Sequence, residues 1–562
     1  MMKHVARTHG SADVLDMRDQ ILREPFTDAM APGLSHRAPP HAARTVLFGM
    51  PLAVSAIVLV VLVAAFRSDG QVTVSEAMLI GMMALLSGWE ALSTANAILG
   101  FKAAQGALDT RQTSSLTIAI LVTIRDEIAQ DVIPGKLGLL RTLQYNSPHR
   151  FCLHVLSDSR SIAHIGDERR IIRAARPLPV FYHNRPLNTD YKSGNIRNWV
   201  EHQGTAYDAF ITLDADSELD HRTAVLLADS LGSDPACGLI QTVPVVRSGN
   251  TYWQYMQSVA SHLYGGLQGQ GLSTWMGDEA NYYGHNAIIR TRAFAASAGL
   301  PHLKGRGLWN GTILSHDFVE AALLRRAGWA SRLLPTEAGS SEQAPADVIS
   351  HLKRDARWCL GNFQHSRILG SAGLHPISRF HLLSGVFTYL SSPVWLATLV
   401  LWGAFDLTQT GVGGALTTVA FFLIVINLLL PRLLGVVHAT TRSPAHFWSI
   451  AKDALKETLF SSMIAPSLML QRVMIILRVL ANRRVAWAPH EKTGRSLPDC
   501  LVFHTVEVLV GLGLFACLER GFLTFWFLPL AVCFALTPVL SWISARPTHV
   551  SPHENLNAST RL

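Results

Sequence analysis

Two carboxylates one residue apart, Asp214 and Asp216, follow the apolar run Ala209–Leu213. Such a run reads as a buried strand, and open α/β sheets bind ligands beyond the carboxyl ends of their strands. Paired carboxylates there suit a hard divalent ion, Mg²⁺ or Mn²⁺, which takes oxygen ligands and bridges to substrate phosphates. Asp-x-Asp also occurs in ordinary surface loops, so the preceding strand gives this pair its meaning. Two further apolar stretches end in acids: Leu121–Ile124 leads into Arg125-Asp126-Glu127, and Phe151–Leu156 into Ser157-Asp158-Ser159. An acidic side chain at such a point can hydrogen-bond a base or ribose, although Asp and Ser there also cap helices. Lys192, beside Ser193-Gly194-Asn195, lies between the second and third of these strands and suits a phosphate.

Downstream comes Gly277-Asp278-Glu279-Ala280-Asn281-Tyr282-Tyr283-Gly284-His285-Asn286, dense in groups that bind sugar hydroxyls. Ser315-His316-Asp317-Phe318 then opens a helical stretch through Glu320 to Arg326, so Asp317 is either a cap or a general base. In Arg354-Asp355-Ala356-Arg357-Trp358, arginine suits a diphosphate and the indole suits a sugar face. Gly269-Gln270-Gly271 follows no evident strand and lacks the third glycine of a dinucleotide loop.

These groups need a scaffold. Between Lys102 and His381 short apolar runs alternate with polar or helical stretches, which predicts an α/β domain with a mainly parallel sheet. Its flanks differ. The chain of 562 residues is 49% hydrophobic and 16% charged, against about 25% charged in soluble proteins. The net charge of +8 fits basic residues flanking apolar runs at a lipid surface better than nucleic acid. Six Cys with no Cys-x-x-Cys, and 24 His with no His-Glu-x-x-His, exclude a zinc motif or disulfide framework of the usual spacings.

The expected order is a flexible cytoplasmic tail at 1–44, a transmembrane hairpin at 45–101, the catalytic domain at 102–381, a helix pair at 382–435, an interfacial helix with a gating loop at 436–500, a second pair at 501–543 and a tail at 544–562. The spans are Thr45–Phe66, Ala77–Phe101, Leu382–Phe405, Gly411–Leu430, Leu501–Leu518 and Gly521–Ile543. Leu459–Leu480 is apolar but holds Arg472, Arg478 and Pro466. As a seventh span it would put Arg483 and Arg484 outside, so it reads as an amphipathic interfacial helix, or as two short spans making eight. Glu90 interrupts the second span; it is either functional or packed against another helix.

The stretches GDEANYYGHNAIIR (277–290), LSHDFVEAALLRRAGW (314–329) and RDARWCLGNFQH (354–365) resemble processive family 2 glycosyltransferases, and more closely the glucosyltransferases of osmoregulated periplasmic glucan synthesis. The resemblance covers roughly residues 116–400 and implies a GT-A domain set between groups of transmembrane helices in the bacterial inner membrane, with the catalytic domain cytoplasmic. It implies UDP-glucose as donor, a growing glucan as acceptor, inversion to a β-1,2 linkage and a divalent metal. It also implies periplasmic glucan-processing proteins and an acyl carrier protein as partners. Glu127, Asp158, Lys192, Asp214 and Arg357 would hold the donor, Asp216 with Asp214 the metal, and Asp317 would be the base. Trp358 would flank the acceptor, with Asp278, Glu279, His285 and Asn286 beside it. Ser-His-Asp stands where cellulose synthases have Thr-Glu-Asp, and Arg354-x-x-Arg357-Trp358 where they have Gln-x-x-Arg-Trp; both departures fit the periplasmic glucan branch. The Tyr-Asn-Glu opening is Arg125-Asp126-Glu127 here, and Val485-Ala486-Trp487 is similar to the start of a gating loop. The competing readings are a synthase of a chitin-, hyaluronan- or cellulose-like polymer, or a transporter without catalysis.

Overall fold

The computed structural model describes residues 15–27, 40–67, 72–103, 114–335, 339–407, 415–481 and 494–548. Two apolar helices, α1 (His41–Arg67) and α2 (Val74–Lys102), pack as a hairpin and lead into the α/β domain. That domain runs β1 (Thr117–Ile124), α3 (Ala129–Asn146), β2 (Arg150–Ser157), α4 (Ile162–Ala174), β3 (Val180–Asn184), α5 (Tyr191–Gln203), β4 (Ala209–Leu213), β5 (Glu218–Leu219), α6 (His221–Ser233), β6 (Cys237–Thr242) and β7 (Val245–Arg247). It continues through α7 (Tyr252–Ala260), α8 (Gly266–Met276), β8 (Ala287–Arg290), α9 (Thr291–Ser297), α10 (His316–Arg326), β9 (Ala330–Leu334), β10 (Ser340–Gln343) and α11 (Val348–Gln364). The helices α12 (Pro376–Leu407), α13 (Ala415–Arg442), α14 (Phe447–Leu480), α15 (Leu497–Phe503), α16 (Thr505–Glu519) and α17 (Leu528–Ser544) follow.

Seven strands form one sheet in the order β3-β2-β1-β4-β8-β6-β9, parallel except for β8, which runs antiparallel between β4 and β6. Both sheet faces are covered, so the strands are apolar on both sides. Along β1, Ile118, Ile120, Val122 and Ile124 pack with α3 and α6, while Ala119 and Leu121 pack with α5, α9 and α10. This topology gathers the acidic turns. Three adjacent parallel strands, β2, β1 and β4, deliver residues 157–159, 125–127 and 214–216 to one edge. Because β8 is antiparallel to β4, with Thr212 opposite Ala287, it starts where β4 ends and sets Gly284-His285-Asn286 beside the Asp-x-Asp turn. A small sheet, β5-β10-β7, closes that side.

The apolar flanks bear out the expectation of membrane-capable helices on both sides of an α/β domain. Among the described residues, six helical stretches are long and apolar enough to cross a membrane: 41–67, 74–102, 376–405, 418–442, 444–480 and 525–544. Two details differ from the sequence reading. The run expected as one span at 501–518 is bent by 74° between α15 and α16. The segment expected as an interfacial helix from 459 is part of the 34-residue α14, which also passes by length and composition as a span. Helix α14 packs on α12, α13 and α17, and it also touches the α/β domain near both of its ends. Ile450, Ala454, Phe460 and Ile464 pack with Trp253, Met256, Val348 and Leu352, and Ile475, Ile476 and Val479 pack with Leu308, Cys359 and Phe363.

Part of the tail expected to be flexible is docked. Met17 is buried in the core against α5 and α9, the Gln20 backbone nitrogen donates to the Gly299 carbonyl (3.0 Å), and Asp19 pairs with Arg197 (2.5 Å). The gating-loop residues Val485-Ala486-Trp487, together with Arg483 and Arg484, lie outside the described residues.

Candidate active site

The Asp-x-Asp turn is locked through its backbone. The Ser217 nitrogen donates to the Asp214 carbonyl (3.2 Å), and Arg247 donates to the Asp216 carbonyl (3.1 Å). Lys192, one residue into α5, donates to the Asp214 carboxylate and to the Gly284 carbonyl (2.9 Å). Burial opposes charge on Asp214, but Lys192 first, then His285 and Arg354, hold its carboxyl well below the usual range. The Asp216 carboxylate is left less engaged; its ion-pair partner is Arg354 at 3.7 Å.

Gly284 has φ +91°, which glycine adopts freely, and a methyl group placed on it would lie 3.4 Å from Asp317 Oδ2 and 3.7 Å from Lys192 Nζ. Lys192 and Asp317 thus flank one point, and Asp214 joins it through Lys192. Tyr282 steadies the Gly284 loop by donating to the Gly284 carbonyl (2.8 Å), and its hydroxyl meets Thr212 Oγ1 (2.8 Å). Asp317 sits in the first turn of α10. Burial pushes its carboxyl above the ordinary range, with Glu320 adding to the rise and His316 opposing it. A carboxylate so placed takes up a proton more readily than one in water.

Helix α11 closes the other side. A Cβ on Gly361 would meet Ser315 Oγ at 2.3 Å, so glycine lets α11 pack tightly on the Ser315-His316-Asp317 turn. Gln364 accepts from the Leu314 nitrogen (2.9 Å), and His365 Nε2 contacts the Ser315 carbonyl (3.0 Å). One turn back, the Arg354 guanidinium lies 4.7 Å over the Trp358 ring, and half of that indole is exposed (45%). Arg357 is half-buried beside Arg354, which adds to burial in lowering its pKa; among the described residues no carboxylate pairs with it. Arg354 faces Asp216, Asp214 and Glu342, so Arg357 is the guanidinium of the two left for an anion.

The remaining candidates divide. Glu127 is half-buried on the turn after β1, next to Asp126, whose Oδ1 accepts from the Arg160 and Ser161 nitrogens at the start of α4. Asp158 lies one strand over, and Arg185 donates to both of its oxygens (2.6 and 2.9 Å). His285 is buried beside the Asp-x-Asp turn, with Nδ1 3.1 Å from Ser217 Oγ and Nε2 3.4 Å from Glu342. Three residues read as sugar-binding point elsewhere. Asp278 is buried against Arg332 (2.6 Å), and Glu279 against Arg44 of α1 (2.5 Å) and Arg325 (2.8 Å). Arg325 is eight residues along α10 from Asp317, about 12 Å at the helical rise, so Glu279 stands away from the candidate base. Asn286 is wholly buried, and its amide donates to the Glu218 carbonyl (2.9 Å) and Ser340 Oγ (2.8 Å). Asp278 and Asn286 thus tie parts of the domain together, and Glu279 ties the domain to α1.

Residues 209–433 match Glycosyl transferase family group 2. Glucans biosynthesis glucosyltransferase H of Vibrio cholerae is 34% identical over 545 residues, covering 90% of this chain and 75% of that protein. The chain belongs to the glucans biosynthesis glucosyltransferase H family. The member from Xanthomonas euvesicatoria is 33% identical over 551 residues, covering 90% of this chain and 85% of that protein. Among solved structures, a mannosyltransferase from Pyrobaculum calidifontis in complex with GDP-Man and Mn²⁺ is 13% identical at a TM-score of 0.46, covering 73% of this chain and all of that one. As a member of the glucosyltransferase H family the chain is a glycosyltransferase of glucan biosynthesis.

Proposed function

We propose that this chain transfers glucose from UDP-glucose to a growing glucan, building the β-1,2-linked backbone of osmoregulated periplasmic glucans with inversion at the anomeric carbon. The observation that carries the reading is the meeting of Lys192 and Asp317 at Gly284, with Asp214 bonded to Lys192 and Arg354 reaching Asp216 from α11. Asp317 accepts the proton of the attacking hydroxyl. That oxygen's electron pair forms the new bond to the anomeric carbon as the bond to the diphosphate breaks, and UDP leaves with the electron pair. Arg357 and Arg354 take up the charge growing on the diphosphate. Glu127 and Asp158 contact the nucleoside, and Lys192 the nucleotide or its phosphates.

The donor set fits a hard divalent ion completed by substrate phosphates. Among the described residues no three His, Cys, Asp or Glu cluster as a ready cage, and the Asp-x-Asp turn offers two carboxylates. Asp216, less tied than Asp214, would be its main ligand. When bound, Mg²⁺ or Mn²⁺ would neutralise charge on the departing UDP.

The domain at 102–381 is taken as a cytoplasmic GT-A unit in the bacterial inner membrane, and α14 as lying at the interface beneath it. Domain contacts at both ends of α14, Ile450–Ile464 against Trp253 and Val348 and Ile475–Val479 against Leu308 and Cys359, support this, because a helix crossing the bilayer would carry one end about 30 Å from the domain. The rest of its packing is on α12, α13 and α17. The chain extends its product processively and passes it outward.

Trp358, exposed beside the arginine pair, is assigned to the acceptor. Trp358→Ala is expected to shorten or abolish polymer while UDP affinity stays within about twofold; normal product length would remove the assignment. The donor reading is tested by UDP release from purified protein with UDP-glucose, UDP-N-acetylglucosamine and UDP-glucuronate in parallel. UDP-glucose should be turned over at least about tenfold faster than the others, and preference for another sugar would favour a different polymer.

A further inference from the structure

Helix α3 turns an apolar stripe toward the sheet, with Val132, Ile133, Leu137, Leu140 and Leu143 buried. Lys136 lies on that stripe and is itself 5% exposed. An ammonium there is costly unless it has an assigned partner. Among the described residues no carboxylate lies within ion-pair distance of it; Nζ donates instead to the carbonyl of Ser217, the residue after Asp216. The other Ser217 groups are also engaged: its nitrogen bonds the Asp214 carbonyl, and its hydroxyl bonds His285. The charges that Lys136 faces are Glu218, Arg247, Asp216 and Asp214. Burial lowers its pKa to about 8, with Arg247 adding and the three acids opposing.

We propose that Lys136 is a positioning residue of the donor site, an ammonium that holds the Asp214–Ser217 turn from behind so that Asp216 meets the metal and diphosphate in one geometry. This rests on the metal reading given above. A purely electrostatic role has the opposite sign, since deleting a nearby cation would tighten metal binding. The two are separated by measuring UDP affinity of the full-length protein by calorimetry, in chelator and in Mn²⁺, together with melting temperature.

In Lys136→Met the gain in UDP affinity conferred by Mn²⁺ should shrink by about tenfold, while affinity in chelator and melting temperature stay near wild type. Lys136→Gln, which keeps an N–H donor, should recover part of the gain. An unchanged or increased Mn²⁺ gain in Lys136→Met overturns the proposal. So do equal losses with and without metal, a matching fall in melting temperature, or failure of both variants to fold, each of which marks a structural residue. A wild-type chain whose UDP affinity ignores Mn²⁺ and Mg²⁺ refutes the metal reading itself, and the role of Lys136 toward the metal with it.

Discussion

Asp317→Asn is expected to bind UDP as the wild-type chain does and to lose turnover by about 10²-fold or more, the usual contribution of a positioned base. The amide is nearly isosteric but takes up no proton, so loss confined to turnover isolates the proton-transfer role. The pH profile supplies an independent check. The base acts as its anion, and burial raises the Asp317 carboxyl above the ordinary range. Wild-type turnover should therefore rise with pH on the acid side through a pKa above that of a free carboxylate. The residual activity of Asp317→Asn should lack that limb. Collapse of UDP affinity in the variant, with turnover of bound donor intact, would make Asp317 a binding residue.

Asp216→Asn is expected to reduce transfer to background and to abolish the effect of Mn²⁺ or Mg²⁺ on UDP affinity. The motive is its freer carboxylate, set against an Asp214 already held by Lys192. Chelator added to the wild-type chain should reproduce the loss. Asp214→Asn should differ, because it releases Lys192 from the place its carboxylate fixes and so weakens UDP binding even in chelator. UDP release by the wild-type chain undiminished in excess chelator would contradict the metal assignment, whatever the variants do.

The acidic turns were legible because parallel strands end together: once Leu121–Ile124, Phe151–Leu156 and Ala209–Leu213 are read as neighbours in a parallel sheet, their following residues must share an edge. Asp317 was legible as the opening of a helix, and the three long motif stretches proved to be the segments that pack around it. Ion pairs between distant segments were not legible. Nothing in the spacing of Asp278 and Glu279 shows that Arg332, Arg44 and Arg325 neutralise them. Nor does local pattern show that a lysine on an apolar stripe will find the Ser217 carbonyl, or that Met17, in a polar tail, will fill a gap against α5. The break at His504 was hidden because hydropathy is blind to direction; residues 501–518 average as one apolar run despite His504, Thr505 and Glu507, yet the backbone turns by 74°.

The most direct test is to incubate the detergent-purified chain with UDP-[¹³C]glucose and Mg²⁺ and read the product by NMR. β-Configured anomeric carbons joined at the 2-position, formed in step with released UDP and absent in chelator, are the predicted result. An α-linked product, or hydrolysis to free glucose with no glycosidic bond formed, would contradict inverting transfer by Asp317 across the Asp-x-Asp site.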